Sequence, residues 1–429
     1  MGTKREHFGG RAAVIMAMAG SAIGLGNIWR FPYMVGEYGG AAFILIYILC
    51  SFILSLPIFM SEAVIGRRTH ANAIGAMKKL APKSFWTVVG YLSVITPTVI
   101  VSYYSIVGGW SIEYFLKSFS LGFGDFQPSG WTPLAFGTAF LAISAGVVAL
   151  GVKGGIEKFS KISIPALFVL IILITIYSLN MPGADHGVDY LLKPDFSKIT
   201  GKTFAFALGQ SFYSLSLGMG IIITYSSYIH KDENLLVSGI GTAAADLMFA
   251  ILAGFAIMPA VFAAGIQPSA GPGLIFQTLP HVFTSMGATS PLLSMVVAAL
   301  FFLTVTVAAM TSSISLLEVG VAYLVEEKHL KRGWACLVIF LVTWLLGLGS
   351  VFSIEFFGKV DAFSSNILLT IGALFVVLFV GWKMKKEDVR DEITNGGTVN
   401  CHTFDMLYFL VKYVAPIAVL IIFISNFVL

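Results

Sequence analysis

Between Asp246 and Glu318 the chain carries no Asp, Glu, Lys or Arg. A stretch that long cannot cover the surface of a water-soluble domain, where about a quarter of residues are charged. It suits a hydrocarbon solvent instead. The rest of the chain agrees: 57% of the 429 residues are hydrophobic and only 11% are charged. Soluble, disordered and collagen-like classes are excluded by that lack of charge, and nucleic-acid binding by a net charge of only +4 with no single basic stripe. Cys50, Cys336 and Cys401 show no C-x-x-C spacing and cannot build a disulfide framework.

A helix needs about 20 mostly apolar residues to cross ~30 Å of hydrocarbon. Eleven stretches qualify: 12–37, 41–66, 86–116, 133–151, 160–180, 203–228, 236–264, 291–325, 333–348, 362–382 and 404–428. They are too long for transmembrane strands. The loop after 236–264 holds Pro268, Pro272 and Pro280 with several glycines. It is expected to form a short apolar hairpin resting on the protein, since lipid does not tolerate open backbone. Lys4, Arg5 and then Ala17-Met18-Ala19 resemble a signal peptide, but the apolar run continues past that point. With the N-terminus in the cytoplasm, nineteen basic residues fall inside and five outside. The positive-inside rule therefore sets that orientation, and eleven spans carry the C-terminus outside. The expected location is the cell inner (plasma) membrane.

Two spans are interrupted alike. The first reads Ala19-Gly20-Ser21-Ala22-Ile23-Gly24-Leu25-Gly26-Asn27, and the sixth Ser214-Leu215-Ser216-Leu217-Gly218-Met219-Gly220. Glycine costs about 1 kcal/mol against alanine in a helix interior, and irregular backbone at membrane depth must line a cavity. Small-residue helix packing is the plainer reading of one such span. Two breaks, five spans apart and both beside polar side chains, indicate a binding site between repeats of opposite topology.

These residues carry a family resemblance. Lys4-Arg5-Glu6-His7-Phe8, Ala17-Met18-Ala19-Gly20 and Gly24-Leu25-Gly26-Asn27-Ile28-Trp29-Arg30-Phe31-Pro32-Tyr33 resemble the N-terminal signature of the neurotransmitter:sodium symporter family. Gly209-Gln210-Ser211-Phe212-Tyr213-Ser214-Leu215-Ser216-Leu217-Gly218 is similar to its second unwound helix, and Thr311-Ser312-Ser313 matches as well. The resemblance implies an all-α polytopic membrane protein with the LeuT-type 5+5 inverted repeat. Spans 1 and 6 would be unwound. The repeats would cover 12–180 and 203–382, with one extra span at 404–428 within a single transporter domain, 1–429. Eleven spans resemble the bacterial amino-acid branch.

The resemblance also implies the site, including two sodium ions. One ion would sit among the carbonyls of Gly20, Ile23 and Ala308 and the hydroxyls of Thr311 and Ser312. The other would meet the Ala22 carbonyl, Asn27, Ser214 and Asp246. A mid-span carboxylate such as Asp246 is expensive and usually functional. Many relatives carry asparagine there, and in the chloride-dependent branch a nearby chloride supplies the charge. Tyr47, Gln210 and Ser214 match other chloride-site positions, so Asp246 is expected to make transport independent of chloride. Gly24 stands where monoamine carriers place an aspartate. A zwitterionic amino acid is therefore expected, with its amine near Ala22, Tyr213 and Ser216 and its carboxylate near Gly26 and Tyr104. Ser21 and Ser214 belong to the same set. Ile100, Tyr104, Tyr213, Met219, Ser312 and Leu316 would line an uncharged side-chain pocket suited to hydrophobic or aromatic L-amino acids.

Arg30 and Asp361, which opens span 10, match an outer gate, with Tyr104 and Tyr213 as its lid. Arg5, Glu326, Phe8 and Tyr228 match an inner one. Gly155 and Pro165 weaken the start of span 5, which is expected to unwind and admit water to the Gly20–Thr311 ion. The expected partners are an amino acid and the lipid bilayer, with no nucleic acid, in a monomer or weak dimer. An intramembrane enzyme is disfavoured because all seven histidines fall in loops or at span ends and no G-x-S-x-G elbow occurs. A channel or a non-transporting amino-acid-binding protein of the same fold is the remaining alternative.

Overall fold

The computed structural model describes residues 6–268, 271–400 and 402–428, with side chains to residue 425 at the C-terminal end. Among these residues every regular element is helical. Nine helices are long and apolar enough to cross a membrane. They are α3 (Ala41–Thr69), α5 (Thr87–Lys117), α6 (Trp131–Ala149), α7 (Val152–Leu179), α11 (Leu235–Ala263), α13 (Pro291–Glu327), α14 (Arg332–Phe352), α15 (Ile354–Lys383) and α17 (Phe404–Ser425). A tenth candidate is the bent pair α1 (Arg11–Ala22) and α2 (Gly26–Glu37), whose halves meet at 60°. The pair α9 (Gly201–Ser214) and α10 (Ile221–Ser226) is not among them. The remaining short helices are α4 (Ala73–Leu80), α8 (Asp185–Leu192), α12 (Leu279–Gly287) and α16 (Lys386–Ile393).

Burial shows how lipid replaces water as the outer solvent. α6 and α14 keep large apolar side chains such as Ile143, Leu341 and Leu345 exposed, whereas α1 buries Val14, Ala17, Met18 and Ala19. α1 packs against α7, α11 and α13, and α10 against the second half of α3. Small residues permit this closeness. A side-chain carbon on Gly66 would fall 2.0 Å from the Ile223 carbonyl oxygen.

Two boundaries differ from those read in the sequence. The expected apolar hairpin contains helix: a turn over Leu274–Thr278 runs without a break into α12, which packs on α13. Asp361 does not open its span. α15 begins at Ile354, separated from the end of α14 at Phe352 by Ser353 alone, so Asp361 lies two turns inside the helix. Ser353 caps that earlier start by accepting the Phe356 N–H.

Candidate functional site

The first break follows from side-chain chemistry as well as from glycine. α1 stops at Ala22, and Ile23 turns extended with ψ 107°. The Gly24 N–H, freed from the helix ladder, donates to Asn27 Oδ1 at 3.0 Å. A side-chain carbon at Gly24 would lie 2.8 Å from Ser312 Oγ and 3.3 Å from the Tyr104 hydroxyl, so it could enter only by displacing these two side-chain tips. In the second break, Ser216, Gly218 and Gly220 all adopt positive φ, at 56°, 78° and 70°. Ser216 Oγ donates to the Ser21 carbonyl at 2.9 Å, joining the two breaks directly. The Gly218 N–H donates to Glu62 Oε1 at 2.7 Å.

Between the breaks lies a cavity of about 30 Å³. Its wall contains Ser21, Ala22, Gly24, Gly26, Ile100, Tyr104, Tyr213, Ser214, Ser216, Met219, Ser312 and Leu316. The structure thus brings the whole expected substrate set together, and adds Leu25, Asn27 and Ile221. No ionised side chain lines it. Tyr104 and Tyr213 also border an outer vestibule of about 450 Å³, so these two rings partition one space from the other.

Beside the cavity, Asp246 is buried within a ring of donors. Asn27 Nδ2 donates to Oδ1 at 2.7 Å, and Ser214 Oγ lies 2.8 and 2.9 Å from the two carboxylate oxygens. The Tyr47 hydroxyl reaches Oδ2 at 3.4 Å. Gln210 turns away and donates to the Gly26 carbonyl. Oxygen atoms from three helices therefore converge here, which is the donor type hard cations require. A second oxygen cluster joins α1 to α13. Thr311 Oγ1 donates to the Ala308 carbonyl at 2.9 Å and lies 3.4 Å from the Ile23 carbonyl. Ser312 Oγ lies 3.3 Å from the carbonyls of both Ser21 and Ile23. A side-chain carbon at Gly20 would meet Thr311 Cβ at 3.4 Å and, at 3.6 Å, Oγ of Ser160 on α7, a residue absent from the expected set.

The expected gate residues fall at the two ends. Arg30 and Asp361 both line the outer vestibule without forming an ion pair within 4 Å. Arg30 lies over the Tyr213 ring, 5.8 Å from its centre, and the Tyr103 hydroxyl bonds Ser364 Oγ at 3.0 Å, which in turn donates to the Asp361 carbonyl. On the inner side Phe8 is buried against Tyr225 and Tyr228, and its N–H donates to the Tyr228 carbonyl at 3.0 Å. Glu326 accepts the Asn72 N–H at 2.7 Å. Arg5 lies outside the described residues. The Tyr228 hydroxyl donates to Glu318 at 2.6 Å, and Glu318 is also paired with Arg332. Glu318 lies eight residues, or about 12 Å of helix, before Glu326. Lys78 pairs with Glu327 at the mouth of this inner vestibule, and that hydrogen bond raises its pKa.

Glu62, Glu318 and Glu392 escaped the sequence reading. Glu62 and Glu318 had the same signal as Asp246, a carboxylate inside an apolar run. Glu392 had none, because α16 reads as an ordinary charged loop helix. In the fold it is buried against Arg67 at 2.9 Å.

The comparisons with known proteins decide the family. The profile described as Sodium:neurotransmitter symporter family matches residues 5–125 and 125–429. The chain belongs to that family. It is 37% identical to an uncharacterized sodium-dependent transporter of Bacillus subtilis, over 98% of each chain. A Haemophilus influenzae protein of the same description is 36% identical over 99% of this chain and 98% of that one. Among solved structures, the crystal structure of MhsT in complex with L-phenylalanine superposes with a TM-score of 0.86 at 37% identity. It covers 99% of this chain and 100% of that one. Membership fixes the class as a membrane transporter rather than an enzyme.

Proposed function

We propose that this chain is a sodium-coupled symporter that takes up hydrophobic or aromatic L-amino acids by alternating access. The observation that carries the reading is the juxtaposition of the uncharged cavity with the Asn27–Ser214–Asp246 cluster, at the meeting point of two broken helices. The phenylalanine bound in the MhsT crystal structure supports the substrate class. Sodium is cargo here. One ion takes Asp246, Asn27, Ser214 and the Ala22 carbonyl. The other takes Gly20, Ile23, Ala308, Thr311 and Ser312. Backbone carbonyls at the end of a half-helix favour cations, and amides at the start of the next favour the substrate carboxylate.

Coupling follows from which helices each ion joins. Ligands come from the broken spans and from α11 and α13, which pack around them. Ions and substrate shift the population only by binding one conformation better than another. Filling both clusters draws the broken spans onto the intact ones and closes the outer side, with Tyr213 and Arg30 above the substrate. Phe8 and the Glu318–Tyr228–Arg332 and Glu326 contacts hold the inner side until the N-terminal segment leaves. The weakened start of α7, at Gly155 and Pro165, then admits water to the second ion.

The same reading gives eleven spans in two inverted five-helix repeats, 12–180 and 203–382, plus 404–428. The eleventh is the broken 201–226 segment, whose halves of 14 and 6 residues are each too short to qualify alone. The N-terminus is cytoplasmic, the C-terminus outside, and the chain works as a monomer or weak dimer without chloride. The test is a competition screen of the twenty amino acids against sodium-dependent binding, with Asp246→Asn as control. Binding that is indifferent to sodium, or selective for charged amino acids, overturns the reading.

A further inference from the structure

Three histidines from three separate segments meet at the inner end. His7 precedes α1, His70 follows α3 and His230 follows α10. The His7 ring stacks on His230 with centroids 4.5 Å apart, and stands edge-on to His70 at 5.6 Å. His70 Nδ1 lies 3.1 Å from the Ser227 carbonyl. That pins the cluster to the turn carrying Tyr228, whose carbonyl holds the N–H of Phe8. The rings therefore bridge the seam between the N-terminal segment and the loop after α10.

Neutral imidazoles stack without repulsion, whereas imidazolium ions at this spacing repel. Imidazole is also the side chain whose ordinary titration lies between pH 5 and 8. Apart from Asp232, the acids named around the cluster are already engaged. On the N-terminal segment Glu6 accepts the Val152 and Lys153 N–H groups, and from α7 Glu157 holds the Gly9 N–H and Lys161. In the loop after α10, Glu233 pairs with Arg11 and Asp232 is exposed to solvent. At the end of α13, Glu326 holds Asn72 and Glu327 holds Lys78. On α16, Glu392 is shared by Arg67, Arg68 and Lys231, while Asp388 and Asp391 pair with Arg68. Lys79 donates to the Thr69 carbonyl, next to His70. Arg67, Arg68 and Lys231 are balanced by these same acids, so the repulsion on protonation is between the rings themselves.

We propose that His7, His70 and His230 form a proton-sensitive catch on the inner gate. An acidic cytoplasm charges the cluster, loosens the N-terminal segment and favours inward opening. Regulation of transport in this sense rests on the proposed symport and on the cytoplasmic N-terminus; the loosening itself does not.

The test uses the full chain in nanodiscs. Backbone amide exchange of residues 6–10, corrected for intrinsic rate, is compared at pH 7.5 and 5.5. Wild type should lose protection about threefold or more at pH 5.5, and His70→Gln/His230→Gln should show little change. An unchanged response in the double variant overturns the proposal. If the double variant does not fold, His230→Gln decides alone, because that ring is exposed. Sodium-dependent phenylalanine binding at pH 7.5 is measured in parallel and should be equal in wild type and variants. Its absence in all of them counts against the symport reading, while the exchange experiment still decides the catch.

Discussion

Asn27 Nδ2 donates to Asp246 Oδ1 at 2.7 Å across 219 positions of sequence. The same Asn27 side chain accepts the Gly24 N–H, the group that the first helix break leaves without an intrahelical partner. One amide therefore ties the shape of the broken span to the buried carboxylate on α11. A cation bound at Asp246 would act on the cavity wall through Asn27 and through Ser214, which also bonds the carboxylate and lines the cavity.

The charge of Asp246 is the first thing to test. Uptake by wild type is expected to be equal in chloride and gluconate media. Asp246→Asn should weaken sodium-dependent binding by on the order of tenfold or more, since each 1.4 kcal/mol is a factor of ten and truncating a buried charge partner costs about 2–5 kcal/mol. Loss of wild-type uptake in gluconate would show that a chloride ion is needed after all.

Gly24 determines how much of the cavity is free. Gly24→Ala places a carbon 2.8 Å from Ser312 Oγ and 3.3 Å from the Tyr104 hydroxyl. Substrate affinity should fall about tenfold or more, with little change in thermal stability, because both neighbours are side-chain tips that can yield. Isothermal binding alongside a melting curve separates the two effects. A variant that binds normally would place the substrate elsewhere.

Gly218 should behave in the opposite way. Its φ is 78°, and a side-chain carbon there would meet the Leu369 carbonyl oxygen at 2.3 Å. Backbone strain of this type costs about 1–3 kcal/mol, and the clash with main chain adds to it. Gly218→Ala is expected to lower the melting temperature in detergent even without sodium or substrate. Glu62→Ala, which strands the Gly218 N–H, should cost about 1–3 kcal/mol on its own.

At the inner end, Glu318 is fully buried between Tyr228 and Arg332. Arg332→Ala leaves that carboxylate without its cation and should be strongly destabilising, while Arg332→Ala/Glu318→Gln should recover part of the loss. A double variant no more stable than the single one would argue that Arg332 acts by packing rather than by charge. Labelling of Ser226→Cys by a membrane-impermeant maleimide should rise in Arg332→Ala if the pair keeps the inner side closed.

The sequence alone determined the solvent, the helical class and the positions of both breaks, while the residues expected in the cavity wall came from the family resemblance. Apolar run length and interior glycines report those directly, because each is a local property of the chain. It also marked Asp246, since a carboxylate in an apolar run needs no neighbour to be conspicuous. It did not reveal that Asp361 lies two turns inside its helix, because a serine cap and a one-residue connection replaced the loop that hydropathy suggested. It gave no sign of the Glu392–Arg67 pair or the histidine cluster. Those residues look like ordinary loop charges until folding brings segments hundreds of positions apart into contact. Only the tertiary structure decides which charges lose their water, and burial is what turns a surface residue into a structural one.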